Sequence, residues 1–303
     1  MKGRILIIRG GAIGDFILTL PVLAALRAGF PDAIIDVMGY PHIASLAQLA
    51  GTVSEVRPIE SRALAGYFAR GGDLDPVLGA YFGCCNVIFS YLFDPDSIFH
   101  TNLARVTGAQ IIQGPHRPDD SLDTHATEQL LYPLQRLAIF DADAVPRISL
   151  VDSKSSRSGE ILAIHPGSGS ESKNWPQACW VELLRVIAAS SDWQIRLVGG
   201  EAEGIRLERL AEHLPLDRVQ IWRAIPLPRL ASLLNGCTRF IGHDSGISHL
   251  AAAIGLPTTV LWGPTKESVW CPRGLQVEVL RHPISLAALS PQSVAKHLLQ
   301  GPS

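Results

Sequence analysis

The chain has five cysteines in 303 residues, Cys84, Cys85, Cys179, Cys237 and Cys271, with no Cys-x-x-Cys pair and no metal-ligand spacing. That spacing excludes a zinc-ribbon or dithiol-redox reading and leaves the thiols as small apolar fillers. Such a set suits a reducing compartment, so a cytoplasmic location is expected. The N-terminus runs straight into RILIIRG (Arg4–Gly10) without the layout of a signal peptide. No apolar run approaches the ~20 residues that span a bilayer, which still leaves room for peripheral contact with the inner membrane surface. Charge is nearly balanced at −2, so there is no general basic footprint for nucleic acid.

What is present is a globular composition, 47% apolar and 18% charged, with length for two ordinary domains. Residues 1–150 carry 11 Lys+Arg against 15 Asp+Glu, and residues 151–303 carry 15 against 13. The second half is therefore the more basic, as binding of an anionic ligand would favour.

That half contains the most informative stretch, TRFIGHDSGISHLAAAIGLPTTVLWGP (Thr238–Pro264). An apolar run, a turn (HDSG), a helical segment stopped by Gly255 and Pro257, and a second β-branched run predict strand, turn, helix, strand. Parallel strands bridged by a helix bring the turn to the strands' carboxyl ends, where open α/β sheets bind ligands. Ser245 is a natural N-cap, and Gly246 permits close approach of a ligand. The free N–H groups of Gly246, Ile247 and Ser248, with the helix dipole, then form an anion site. Asp244 stands just before the cap and His249 one turn on. The expected guest is a phosphorylated, hydroxyl-bearing ligand such as a sugar nucleotide, although a simple capping role for Asp244 and Ser245 accounts for the same residues.

At the other end, RILIIRG predicts a buried parallel strand, followed by GGAIGD, a helical segment with a Pro near its start, and a second strand, AIIDVMG. The dinucleotide fingerprint GxGxxG fails because Arg9 takes the place of its first glycine, and Asp36, at about the right distance for a ribose contact, lies inside a strand. Asp15 ends the glycine turn and starts a helix, with Gly11 and Gly14 beside it. It is a candidate general base, which requires a carboxylate at the reacting centre with no competing cation; the plainer alternative is an acid stabilising the helix dipole.

Helices are expected over HIASLAQLAG, over 61–83 with a break at Gly71-Gly72, and over THATEQLLYPLQRLAIF, where His125 caps the helix or lines the cleft. Asp94 and Asp96 fit a solvated turn. The Ser-rich VDSKSSRSG (Val151–Gly159) is the expected linker, and the strand–helix alternation then resumes. Ser168 and Lys173 follow one strand, Glu201 the next, Ile225 (within Ala224–Pro226) a third, and Asp244–His249 the last. Lys173 is a point charge for a diphosphate, Glu201 an acceptor for ribose hydroxyls, and the Ile225 backbone a border for an adenine ring.

Taken together, RILIIRGGAIGDFILTLPVLAALR, HPGSGSESKNWP, LVGGEAE and FIGHDSGISHLAAAIGLPTTVLWGPT resemble the glycosyltransferase family 9 enzymes, the ADP-heptose:lipopolysaccharide heptosyltransferases. The resemblance implies an α/β GT-B fold of two Rossmann-like doubly wound domains facing across a cleft. Residues 1–152 would bind the acceptor and carry the base, and residues 153–303 would hold the nucleotide sugar. It implies inverting transfer of a heptose from an ADP-sugar to a lipopolysaccharide-core or similar glycan acceptor, with no metal and no cofactor. Asp15 takes the base position, Lys173 the diphosphate lysine, Glu201 the nucleoside-side glutamate, and Asp244, Ser245, Gly246 and His249 the phosphate turn. The chain departs from the family at Gly10, Gly11 and Ala12, where Ser or Thr is frequent, at His243, where Asn is frequent, and at Lys266, where an acid is common. Its acidic first half is an unusual match for a polyanionic acceptor. Two alternatives remain open: an NAD(P)-dependent oxidoreductase using the N-terminal turn, and a nucleotide-sugar-binding protein without transfer activity.

Overall fold

The computed structural model describes residues 3–150, 159–200 and 203–300. It divides into two compact units, Met1–Val145 and Pro146–Ser303. All but Gly159 of the linker expected over 151–159 falls outside the described residues.

The first unit is a five-stranded sheet of β1 (Arg4–Ile8), β2 (Ile34–Gly39), β3 (Glu55–Pro58), β4 (Val87–Ser90) and β5 (Gln110–Gln113), in the order β3-β2-β1-β4-β5. Every pairing is parallel. Its helices are α1 (Ile13–Ile17), α2 (Leu20–Gly29), α3 (Pro41–Leu49), α4 (Pro76–Gly83), α5 (Ile98–Ala104) and α6 (Ala126–Leu131). β1 is buried along Ile5–Ile8, as a strand covered on both faces must be. Ile8, Leu6 and Ile88 pack with Tyr67, Phe82 and Phe99 into one core.

Two expected helices are shorter than their composition suggests. Over 61–83 the chain forms a 3-10 turn, Arg62–Phe68, and then α4. The break is set by glycine contact, since a Cβ on Gly66 would stand 1.9 Å from the Asp73 carbonyl oxygen. The segment from His125 passes from α6 into a 3-10 turn, Tyr132–Leu137, where Pro133 has no N–H to continue the α ladder. His125 is the N-cap of α6, its Nδ1 accepting from Thr127 N at 3.2 Å. Asp94 caps α5 by accepting from Phe99 N and His100 N, and Asp96 lies 3.8 Å from Arg70. Both carboxylates thus belong to a turn.

The second unit is a six-stranded sheet, again parallel in every pairing. Its strands are β6 (Ile161–His165), β7 (Gln194–Gly199), β8 (Val219–Arg223), β9 (Arg239–His243), β10 (Thr258–Leu261) and β11 (Val277–Leu280), ordered β11-β10-β9-β6-β7-β8. Its helices are α7 (Gln177–Ser190), α8 (Arg206–Ala211), α9 (Leu227–Leu234), α10 (Gly246–Ala253), α11 (Glu267–Trp270) and α12 (Pro291–Gln300). Trp175 and Trp180, edge to face at 5.2 Å, anchor its core with Leu183, Leu184, Ile241 and Leu298.

Strand order reverses between β1 and β4 in one unit and between β6 and β9 in the other. Loops at the carboxyl ends of those strands border the crevice that doubly wound sheets use for ligands. The glycine turn of Asp15 follows β1, and the loop of Ser168 and Lys173 follows β6. The Asp244 turn follows β9.

Candidate functional site

In the second unit, β9 ends at His243 and α10 begins at Gly246, with Ser245 in extended conformation as N-cap. The Ser245 hydroxyl accepts from Ser248 N at 3.4 Å. The Ser248 N–H is therefore not one of the open donors expected from sequence. The first-turn N–H groups of Gly246 and Ile247 have no acceptor within their own helix, and they carry its positive end. Asp244 is largely buried. Its Oδ2 takes the Lys173 ammonium at 2.6 Å and the Thr265 hydroxyl at 2.7 Å. One carboxylate thus gathers a lysine from the β6 loop and a threonine from the β10 loop at the foot of α10. His249 is buried within α10.

The β6 loop is tied to the same strand end. The His243 Nε2 accepts from Trp175 N at 2.8 Å, and its Nδ1 donates to the Gly167 carbonyl at 3.3 Å. Burial pushes the imidazole down to about 4, with His165 and Arg206 acting in the same direction and the Gly167 bond and Asp244 opposing. The Ser168 hydroxyl lies 2.7 Å from Ser170 O and 2.8 Å from Asn174 Oδ1, so it shapes the loop from within. Arg206 at the start of α8 donates to Glu171 Oε1 at 2.9 Å.

Glu201 lies outside the described residues. Two positions on, Glu203 is a buried carboxylate whose Oε2 accepts from Gly200 N at 2.6 Å. Its Oε1 fills the space of a side chain at Gly167, where a Cβ would stand 2.0 Å away. Beside it, His165 donates from Nδ1 to Val198 O at 2.9 Å, and burial lowers its pKa, with that bond and Glu203 opposing. Ile225 follows β8, behind Ala224, whose φ is 49° and whose N–H donates to Gly199 O at 2.9 Å. The β6, β7, β8 and β9 loops thus share one edge of the sheet. Ser168, Lys173, Asp244, Ser245 and Gly246 meet at the β6/β9 switch, while Ile225 stands two strands away. The sequence reading missed Glu203, Arg206 and Thr265. A buried glutamate against the glycine of HPG leaves no local pattern in sequence.

In the first unit, Asp15 sits in the first turn of α1 and is partly exposed. Its Oδ2 accepts from Ala12 N at 3.0 Å, and its carbonyl accepts from the Thr19 hydroxyl at 2.9 Å. Gly11 is required here: its φ is 102°, and a Cβ would fall 2.9 Å from that Oδ2. Gly14 closes the turn, its carbonyl accepting from Leu18 N at 2.9 Å. The condition that no cation compete is met only in part, since an arginine stands at the edge of ion-pair distance. Arg9, 2% exposed, places Nη2 3.9 Å from Asp15 Oδ1 and 3.3 Å from the Asp15 carbonyl, and Nη1 2.7 Å from His116 O. Burial lowers the pKa of Arg9, with Asp15 and then Tyr91 opposing. The side chain that spoils a dinucleotide fingerprint is thus a buried tie between the glycine turn and the loop after β5.

Asp36 cannot hold a ribose. It is fully buried in β2, and its Oδ2 is occupied by Arg4 at 2.5 Å and the Tyr81 hydroxyl at 3.0 Å. The proximity of Asp36, after desolvation, raises the Tyr81 pKa further.

Comparisons with known proteins bear on the family and the fold. Residues 136–298, more than half of the chain, match the family model described as glycosyltransferase family 9 (heptosyltransferase). Lipopolysaccharide heptosyltransferase 1 of Pseudomonas aeruginosa is 37% identical over 106 residues, covering 35% of this chain and 29% of that protein. The Escherichia coli K12 protein of the same name is 31% identical over 142 residues, covering 46% and 44%. The matched stretch is thus less than half the length of these curated relatives. Two solved structures share the fold over nearly the whole chain. A glycosyl transferase family 9 protein from Veillonella parvula has a TM-score of 0.80 at 16% identity, covering 99% of this chain and 97% of its own. ADP-heptose lps heptosyltransferase II of E. coli has a TM-score of 0.78 at 19% identity, covering 99% and 98%. With two parallel doubly wound units of this kind, the chain is an α/β protein of the GT-B class and belongs to glycosyltransferase family 9.

Proposed function

We propose that the chain transfers a heptose from ADP-heptose to a lipopolysaccharide-core or related glycan acceptor, with inversion and without a metal ion. The observation that carries this reading is the Lys173–Asp244–Thr265 cluster at the N-terminus of α10, on the β6/β9 switch. The Lys173 ammonium, held by Asp244, and the first-turn N–H groups of α10 are the donors that a departing diphosphate would meet, sharing the ammonium with the carboxylate. Glu201, in the position the resemblance gives to the nucleoside-side glutamate, would accept from the ribose hydroxyls. Asp15 acts as general base even with Arg9 nearby, because that guanidinium is bonded to the His116 and Asp15 carbonyls and stands 3.9 Å from the carboxylate. The carboxylate accepts the proton of the acceptor hydroxyl as that oxygen attacks the anomeric carbon from the face opposite ADP.

That the relatives are lipopolysaccharide heptosyltransferases supports heptose as the transferred sugar and lipopolysaccharide as the acceptor class. The test is transfer from ADP-heptose to a panel of heptose-free core oligosaccharides with EDTA present, read by mass spectrometry and by the anomeric configuration of the product. The expected product gains one heptose with inverted configuration at an undiminished rate. Tight ADP binding with no transfer to any acceptor would leave only a nucleotide-sugar-binding protein, and loss of transfer with EDTA would refute the metal-free mechanism.

A further inference from the structure

We infer that His243 is a positioning residue for the donor: its imidazole clasps both ends of the 167–175 loop and so fixes where the Lys173 ammonium can reach. His243 is fully buried at the end of β9, with its ring edge-on to Trp180 at 5.4 Å. Its two nitrogens bond the loop's first and last residues, Nδ1–H to the Gly167 carbonyl and Nε2 from the Trp175 amide. Only one state of the ring satisfies both partners, the neutral tautomer with its proton on Nδ1, because a carbonyl can only accept and an amide N–H can only donate. The charged or titratable neighbours that act on the ring are His165 on β6, Arg206 on α8 and the adjacent Asp244. Burial, His165 and Arg206 keep a second proton off it.

Lys173 stands between those two anchors, and its ammonium meets Asp244, the residue next to His243. The loop's backbone and its lysine are thus held by consecutive residues of one strand end. A lysine on a free loop loses considerable rotamer and backbone entropy on meeting a ligand. With the backbone pinned on either side, that ordering is already in place before a diphosphate arrives. The role in catalysis rests on the reading that Lys173 meets the donor diphosphate; the clasp itself does not.

Three variants of the full chain separate the terms. His243→Leu removes both bonds, His243→Gln carries an amide oxygen near the Nε2 position, and His243→Asn carries an amide nitrogen near the Nδ1 position. In His243→Leu we expect amide exchange at Trp175 and ADP dissociation in calorimetry each to rise about tenfold or more, as loss of buried hydrogen bonds entails. Donor KM should rise with them, and kcat should fall as well, because the displaced Lys173 also serves the departing diphosphate. His243→Gln should restore Trp175 protection and most of the ADP affinity, and His243→Asn less of both. Parental loop exchange in His243→Leu would overturn the inference, as would a Gln variant as impaired as Leu. Should the Leu variant fail to fold, equal exchange and affinity in the Gln and Asn variants would overturn it. Absence of ADP binding by the parent would instead refute the proposed function, with loop exchange still judging the clasp.

Discussion

Lys173 and Asp244 form a partly buried pair at 2.6 Å, and in the proposed reaction the phosphate oxygens come to share that ammonium. Lys173→Ala is expected to weaken ADP binding about tenfold or more by calorimetry, the scale of a charge-assisted contact; unchanged affinity would remove the lysine from the site. A second residue-scale prediction concerns acid. The folded chain holds His243 at about 4 against an ordinary 6.5. Between those values the unfolded chain binds the extra proton, so stability is full above pH 6.5 and falls as pH drops towards 4. The loss from this one group is on the order of 3 kcal/mol. His165, also lowered by burial, adds in the same sense. Urea unfolding at pH 7 and pH 4.5 should show a smaller loss in His243→Gln than in the parent; equal losses would contradict the assignment.

At the scale of elements, the turn into α1 depends on one backbone conformation. Gly11→Ala forces a side chain into positive φ and against the Asp15 carboxylate. It should cost about 1 kcal/mol or more of stability and displace the base, with turnover lost more than donor affinity; parental activity would show that the turn tolerates a different Asp15 orientation. The β9–α10–β10 element was readable because apolar runs, a capping serine and a Gly/Pro stop all fall within one stretch. The first-unit strands were readable for the same local reason. Illegible were features set by distant contacts. The 3-10 turn at Arg62–Phe68 depends on Gly66 against Asp73, and Arg9 looked like a fault in a fingerprint until its bonds to His116 and Asp15 were seen. The inward placement of Glu203 was illegible because it depends on the space left at Gly167, on another loop. Thr265 and Arg206 likewise acquire meaning only through partners on other loops.

At the scale of the molecule, two parallel sheets with separate cores divide the proposed labour. In the proposed reaction the second unit would meet the leaving diphosphate through Lys173 and the α10 N-terminus, and the first would supply the Asp15 carboxylate. The two-unit architecture was legible because each half of the sequence repeats the strand–helix alternation. The most direct test of the account is Asp15→Asn, which keeps the shape and the Ala12 contact position but abolishes the base. The measurement is heptose transfer at saturating ADP-heptose alongside ADP affinity. The account predicts turnover reduced by roughly two to four orders of magnitude with ADP affinity within about twofold of the parent; transfer at the parental rate would contradict it.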